Sequence, residues 1–213
     1  MRSYAAPVLL LALGIGLSTG LGACSGDEPR KPEAGPTATP TPLSAFDSTA
    51  VTLARADFCG LIPDSAAEEA LGAPVAKRSD YGNGERAEVA RGVRDVAHEF
   101  SCSYSAADGA TARAWVFAPQ VTEKRARGLV RDLHRRQGCK TPTADGFGTP
   151  SVLTVCRAGA GTEAAYHGLF VDAWLSCSVT SGKAAAGTAR ADLLARTGRW
   201  CVQVATAVDT SAS

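Results

Sequence analysis

The cysteines at positions 24, 59, 102, 139, 156, 177 and 201 constrain this chain more than any other feature. None of their spacings forms the close C-x-x-C pair that metal and redox sites favour. The chain opens with Arg2 and an apolar run from Ala5 to about Leu17, the layout of a secretory signal; the run is too short and too poor in flanking charge for a transmembrane helix. In an exported chain cysteines read as disulfides, and an odd number leaves one over. The question is then where Cys24, just behind the signal, belongs.

Leu21-Gly22-Ala23-Cys24 resembles the lipobox of bacterial lipoproteins, where cleavage falls just before the cysteine. That resemblance implies that residues 1–23 are a lipoprotein signal peptide and that Cys24 carries thioether-linked diacylglycerol. The alternative is ordinary signal cleavage, which leaves Cys24 as a spare thiol, a liability in an oxidising compartment. Each buried acyl CH₂ contributes about 0.8 kcal/mol, so two chains anchor stably where one is marginal. The expected partner is therefore the lipid bilayer through Cys24, and the expected location the outer face of the cytoplasmic membrane.

Residues 24–48 are dense in Pro, Thr, Gly and charge and have little to bury, so they read as a disordered tether. Residues 49–208 have the length of one domain with a real core, and 209–213 read as a tail. The chain has 22 basic and 21 acidic residues; loss of Arg2 with the signal balances them. That balance argues against nucleic acid as a partner.

Six cysteines allow many connectivities. Sequential pairing, Cys59 with Cys102, Cys139 with Cys156 and Cys177 with Cys201, closes the shortest loops and is the expected map. Each bridge is worth about 2–4 kcal/mol.

Along the domain, Pro63 opens a short helix in which Ser65 and Glu68 have capping-box spacing and Gly72 and Pro74 mark the stop. Residues 77–94, charged and aperiodic, read as a long exposed loop. Val96, His98, Phe100, Cys102 and Tyr104 alternate as one inward strand face, and Asp108-Gly109 turns the chain into a second strand, "TARAWVFAP". A helix over 121–137 follows, with Ala126, Leu129, Val130 and Leu133 as its apolar stripe. "SVLTVCRA" is a strand, and 166–179 reads as one longer strand with Leu169, Val171, Ala173, Leu175, Cys177 and Val179 on one face. The last helix, 183–208, lines up Leu193, Thr197, Cys201, Val204 and Val208. The pattern predicts an α+β fold, an antiparallel sheet with packed helices and three disulfides. "RDLHRRQGC" at 131–139 resembles "ADLLARTGRWC" at 191–201, which fits either two degenerate ββα units or a chance likeness.

Catalytic motifs are missing behind the signal: from Cys24 onward the chain holds no G-x-S-x-G, S-x-x-K, H-E-x-x-H or P-loop. Its three histidines divide into His98 on the inward strand face, His134 on a basic helix and His167 near a strand start. Asp57, Asp64, Glu68, Glu69, Asp145 and Asp172 form no recognisable carboxylate pair; Asp172, beside Trp174, is expected in a solvated or salt-bridged sheet position. Lys124, Arg127, Arg131 and Arg135 make one helix basic enough to bind anionic headgroups or wall polymers, although a solvated face is the simpler account of such a run. Trp115, Trp174 and Trp200 read as core or pocket walls. No catalytic residue, metal or cofactor is assigned.

Cys59-Gly60-Leu61-Ile62, Ala70-Leu71-Gly72 and Cys102-Ser103-Tyr104, behind a lipobox and a Pro/Thr tether, resemble the exported actinobacterial lipoproteins that carry an uncharacterised domain. The resemblance covers about the first third of the domain and implies a Cys59–Cys102 bridge, without implying any chemistry. The sequence thus points to a tethered binding or interaction domain that meets an envelope protein or cell-wall polymer. Its rivals are an envelope enzyme with a site assembled from distant residues, and an accessory or sensor subunit of a membrane protein.

Overall fold

The computed structural model describes residues 40–90, 92–144, 146–182 and 190–211. Cys24, the signal, most of the tether and Asp145 lie outside them. The packed chain begins ahead of Thr49: Leu43 is buried against Gly198 of the last helix. At the other end, Thr210 donates its N–H to Thr52 O at 2.8 Å.

The first helix, α1 (Asp64–Leu71), follows a short 3₁₀ turn at Cys59–Leu61. Ser65 is not its cap: Pro63 occupies that position and makes no side-chain bond, having no side-chain acceptor. Gly72 ends the helix at φ 69°, the left-handed conformation glycine adopts freely.

Residues 77–94, expected as a loop, instead form β1 (Lys77–Tyr81) and most of a hairpin, β2 (Arg86–Ala90) with β3 (Val93–Val96). They carry no alternation because β1 is an edge strand and the hairpin pairs only with itself, so neither presents a regular apolar face to the core. β4 (Glu99–Ser105) and β5 (Thr111–Phe117) pair as expected around Gly109. His98, however, is exposed and precedes β4, and the buried residue of that approach is Ala97. α2 (Glu123–His134) lies within the expected helix, and Thr122 caps it by accepting from the Arg125 N–H.

β6 (Cys139–Lys140) and β7 (Ser151–Ala158) are followed by the second departure from expectation. The long strand is two, β8 (Gly161–Phe170) and β9 (Ala173–Thr180), joined by the two-residue turn Val171-Asp172. Turning there shifts the phase: Phe170, not Leu169, shares the face of Ala173, Leu175, Cys177 and Val179. Val171 is 72% exposed and sits at φ 56°, a conformation that costs a β-branched residue about 1–3 kcal/mol. Replacing Val171 with Gly is expected to raise stability by about 1 kcal/mol in a denaturant titration, because little buried apolar contact is lost; a loss of stability contradicts the strain.

The seven strands run in the order β1-β4-β5-β9-β8-β7-β6, with antiparallel neighbours throughout. α3 (Arg190–Ala207), with α1, covers one face, where Leu193, Thr197, Cys201, Val204 and Val208 are all buried as the periodicity requires. Trp200 stacks edge-on against Tyr104 and donates its indole N–H to Arg113 O at 3.2 Å. α2 packs on the opposite face, over Leu169 and Trp174. With the β2–β3 hairpin and the two-residue β6 set aside, each half has the order strand, strand, strand, helix, but the helices take opposite faces. Cys139 lies in a strand after α2 whereas Cys201 lies inside α3, so the two look-alike segments are not structurally equivalent.

The three disulfides are those expected, Cys59–Cys102, Cys139–Cys156 and Cys177–Cys201. The first ties the 3₁₀ turn before α1 to β4, the second β6 to β7, and the third α3 to β9.

Candidate functional site

Cross-strand partners share a face, so the register of the sheet lays out its α2 side in rows. Nearest α2 are Leu169 and Trp174, with Phe117 opposite Glu99. The next row is Tyr81, Ser101, Trp115, Ser176 and His167 across β1, β4, β5, β9 and β8. After it come Ser79, Ser103, Arg113, Ser178 and Ala165. The face thus grades from aromatic and aliphatic to hydroxylic within three rows.

α2 roofs one part of this face and is fastened there by the Val121 N–H, which donates to Asp172 O at 2.8 Å. The β2–β3 hairpin overhangs another part. Between them opens a cleft of about 720 Å³, walled by Trp115, Phe117 and Trp174 from the sheet, Leu129 and Leu133 from α2, and Val89 from the hairpin. Its polar groups are Glu99, Arg113, His167, Ser176, Ser178 and Glu163 from the sheet, with Asp132 on α2 and Arg136 just past its end.

Arg113 organises one side. Its Nε donates to Ser101 Oγ at 3.1 Å, and its Nη2 reaches Tyr81 Oη, Val89 O at 3.3 Å and Glu99 Oε1 at 3.5 Å. Tyr81 in turn donates to Glu99 at 2.6 Å. Burial first, and this bond to Glu99 second, push the Tyr81 phenol up from its ordinary value, so it stays a donor. The contact to Val89 O is the link that holds the hairpin over the sheet.

His167 forms the other side, with Nδ1 2.7 Å from Ser176 Oγ and Nε2 3.2 Å from Thr154 Oγ1. Burial, helped by the positive charge of Arg136, drives its pKa down to about 3, so the ring is neutral. The Ser176–His167 contact has the spacing of a nucleophile and its base, yet the rest of such a device is not there. The second ring nitrogen meets a hydroxyl and not a carboxylate, both side chains are buried, and an imidazole held at about 3 is a poor proton acceptor. The cluster satisfies buried polar groups and stiffens the cleft floor.

The residues singled out in the sequence are largely elsewhere. Lys124, Arg127 and Arg131 are exposed on α2 and Arg135 at its C-cap, and Arg127 and Arg135 are already paired with Glu123 and Asp132. His134 meets Thr141 Oγ1 at 2.8 Å. Asp172 is salt-bridged to Arg55 at 2.7 Å, in the turn beside Trp174 and not within a strand. Asp57 accepts from the Cys59 N–H, Asp64 pairs with Arg78, and Glu69 with Arg199 and Gln203, all contacts that hold the fold. Glu68 is exposed. Trp115 and Trp174 do wall the cleft, whereas Trp200 is core.

Arg113, Glu99, Tyr81, Ser176 and Thr154 were not singled out, although the alternation in "TARAWVF" and "AWLSCSVT" places Arg113, Trp115, Trp174 and Ser176 on outward-facing positions. Among the described residues no group of three or more His, Cys, Asp or Glu side chains could hold a metal ion, and no helix is long and apolar enough to cross a membrane. Compared with known proteins, the chain matches no family model and no curated relative.

Proposed function

We propose that this chain is a lipid-anchored, extracytoplasmic binding protein, held to the membrane through Cys24, that takes the apolar body of an amphipathic molecule into the cleft between α2 and the β2–β3 hairpin. The observation that carries the reading is the cleft itself. A volume of about 720 Å³ and aromatic and aliphatic walls with polar groups placed between them fit a small-molecule site. The location rests on Leu21-Gly22-Ala23-Cys24 and the cysteines paired behind it. The absence of a competent base beside Ser176 favours binding over hydrolysis.

Two measurements test it. Titration with a dansyl-labelled undecanoate should give saturable energy transfer from tryptophan, and Trp115→Ala should weaken binding by about tenfold or more while leaving the fold intact, since Trp115 is only half-buried. Transfer that never saturates, or that Trp115→Ala leaves unchanged, contradicts the cleft as the site. Cys24→Ser should release the protein from the membrane fraction and stop normal precursor processing. A Cys24→Ser chain that is processed and stays membrane-bound contradicts the anchor.

A further inference from the structure

The cleft does not end at Arg113. Past it, a second cavity of about 880 Å³ continues between the sheet and the hairpin, and the two cavities share Ala90 and Arg113 as wall. Its floor is a field of hydroxyls. Ser79 and Ser103 lie in one cross-strand row, which Ser178 extends at the rim of the first cleft, and Thr111 and Thr180 lie in the next. All five are at least partly exposed, and none has a side-chain hydrogen bond within the described protein, whereas the Ser101 hydroxyl in the row above is taken by Arg113. A hydroxyl both donates and accepts, so an unpartnered array of them matches a ligand that carries the same groups. The charged walls give no preference for either sign: Lys77, Arg86 and Arg94 stand against Asp80, Glu85 and Glu88, and Arg113 is engaged by Glu99.

We propose that the ligand is a glycolipid in chemical class, with its apolar chain under α2 and an uncharged, polyhydroxylated head over the Ser/Thr rows beneath the hairpin. This rests on the reading of the cleft given above and adds the identity of the head group. The hairpin lies over the head and is held to the sheet by the Arg113 contact to Val89 O.

The test uses the full chain carrying Cys24→Ser, so that no acyl chain of its own competes. Tryptophan fluorescence is titrated with dodecyl maltoside, dodecylphosphocholine and dodecyl phosphate, each below its micelle concentration, and with free maltose. The sugar-headed probe should bind about tenfold or more tightly than the other two alkyl probes. Free maltose should bind at least about 100-fold more weakly than dodecyl maltoside, having no chain to bury. The double substitution Ser79→Ala with Ser103→Ala should cost dodecyl maltoside about tenfold and leave dodecylphosphocholine unchanged. Equal or tighter binding of either phosphate-bearing probe overturns the head-group assignment and leaves the cleft standing. Maltose binding as tightly as dodecyl maltoside overturns the lipid part, and no saturable binding of any dodecyl probe overturns the cleft reading itself.

Discussion

Gly168→Ala is expected to destabilise the protein by about 3 kcal/mol or more, the largest effect of any single methyl group in the fold. Gly168 lies on the α3 side of β8, where residues 146–149 cross the sheet and insert Phe147 into the core. A Cβ on Gly168 would stand 1.5 Å from Phe147 O, against backbone that cannot swing aside. The crossing is fixed at its Thr149-Pro150 end, because the Thr149 N–H donates to Leu169 O at 2.7 Å and the Leu169 N–H to Pro150 O at 3.1 Å. Phe147 is fully buried, edge-on to Phe170 at 4.9 Å and to Tyr166 at 6.1 Å. Displacing the crossing therefore removes an aromatic side chain from the core as well. Phe147→Ala alone should cost about 3–5 kcal/mol, and the double variant clearly less than the sum, since both lesions eject the same ring. Chemical denaturation measures all three; stability of Gly168→Ala within about 0.5 kcal/mol of the parent refutes the account of the crossing.

The second large effect is on pH dependence. His167 is neutral in the fold, with a pKa of about 3, and titrates near 6.5 once unfolded. Between those values the unfolded chain binds a proton that the folded chain does not, so this group's contribution to stability is complete above about pH 6.5 and is lost as pH falls toward 3. The slope is about 1.4 kcal/mol per pH unit, which amounts to about 2 kcal/mol between pH 7 and pH 5. His167→Gln keeps an amide able to meet Ser176 and Thr154 and has no proton to gain. The variant should therefore lose markedly less stability than the parent over the same two pH units, whatever its stability at pH 7. Parallel curves for parent and variant contradict a buried neutral imidazole.

Much of this architecture is legible in the residues. Asp108-Gly109 between alternating runs marks the β4–β5 hairpin, "SVLTVCRA" is β7 to the residue, and the apolar side of α3 follows its period. Pairing the six cysteines in sequence order matches the structure; Cys139–Cys156 and Cys177–Cys201 each join successive elements, whereas Cys59–Cys102 spans α1 and β1 to β3. Legibility fails where the usual punctuation is missing. Val171-Asp172 contains no glycine, proline or asparagine, so two strands read as one, and the turn is held by contacts from far along the chain: Asp172 to Arg55, and Asp172 O to the Val121 N–H. β1 and the β2–β3 hairpin failed for another reason, since strands without a regular buried face carry no apolar alternation to detect.

The site was less legible than the fold. Its floor is written into every second residue of β4, β5, β8 and β9, but those positions hold Ser, Arg, Trp and His in no motif. They become one surface only when the order β4-β5-β9-β8 sets them side by side. Histidine position was no guide: His98, on an apparent inward face, is exposed, and His167, taken for a strand start, is buried mid-strand. The basic face of α2 drew attention by its charge, while the face that matters for the cleft is the one carrying Leu129 and Leu133.

Hydrogen exchange on the Cys24→Ser full chain, with and without dodecyl maltoside below its micelle concentration, tests the central claim most directly. The hairpin carries exposed Val93 and Val96 and touches the sheet sparsely, so its amides should exchange readily in the free protein. Binding is predicted to slow exchange at Arg86–Ala90, Val93–Val96 and along α2, and to leave α1 and α3 unchanged. Unaltered exchange in the hairpin and α2, or protection centred on α1 and α3, would contradict a ligand seated in this cleft.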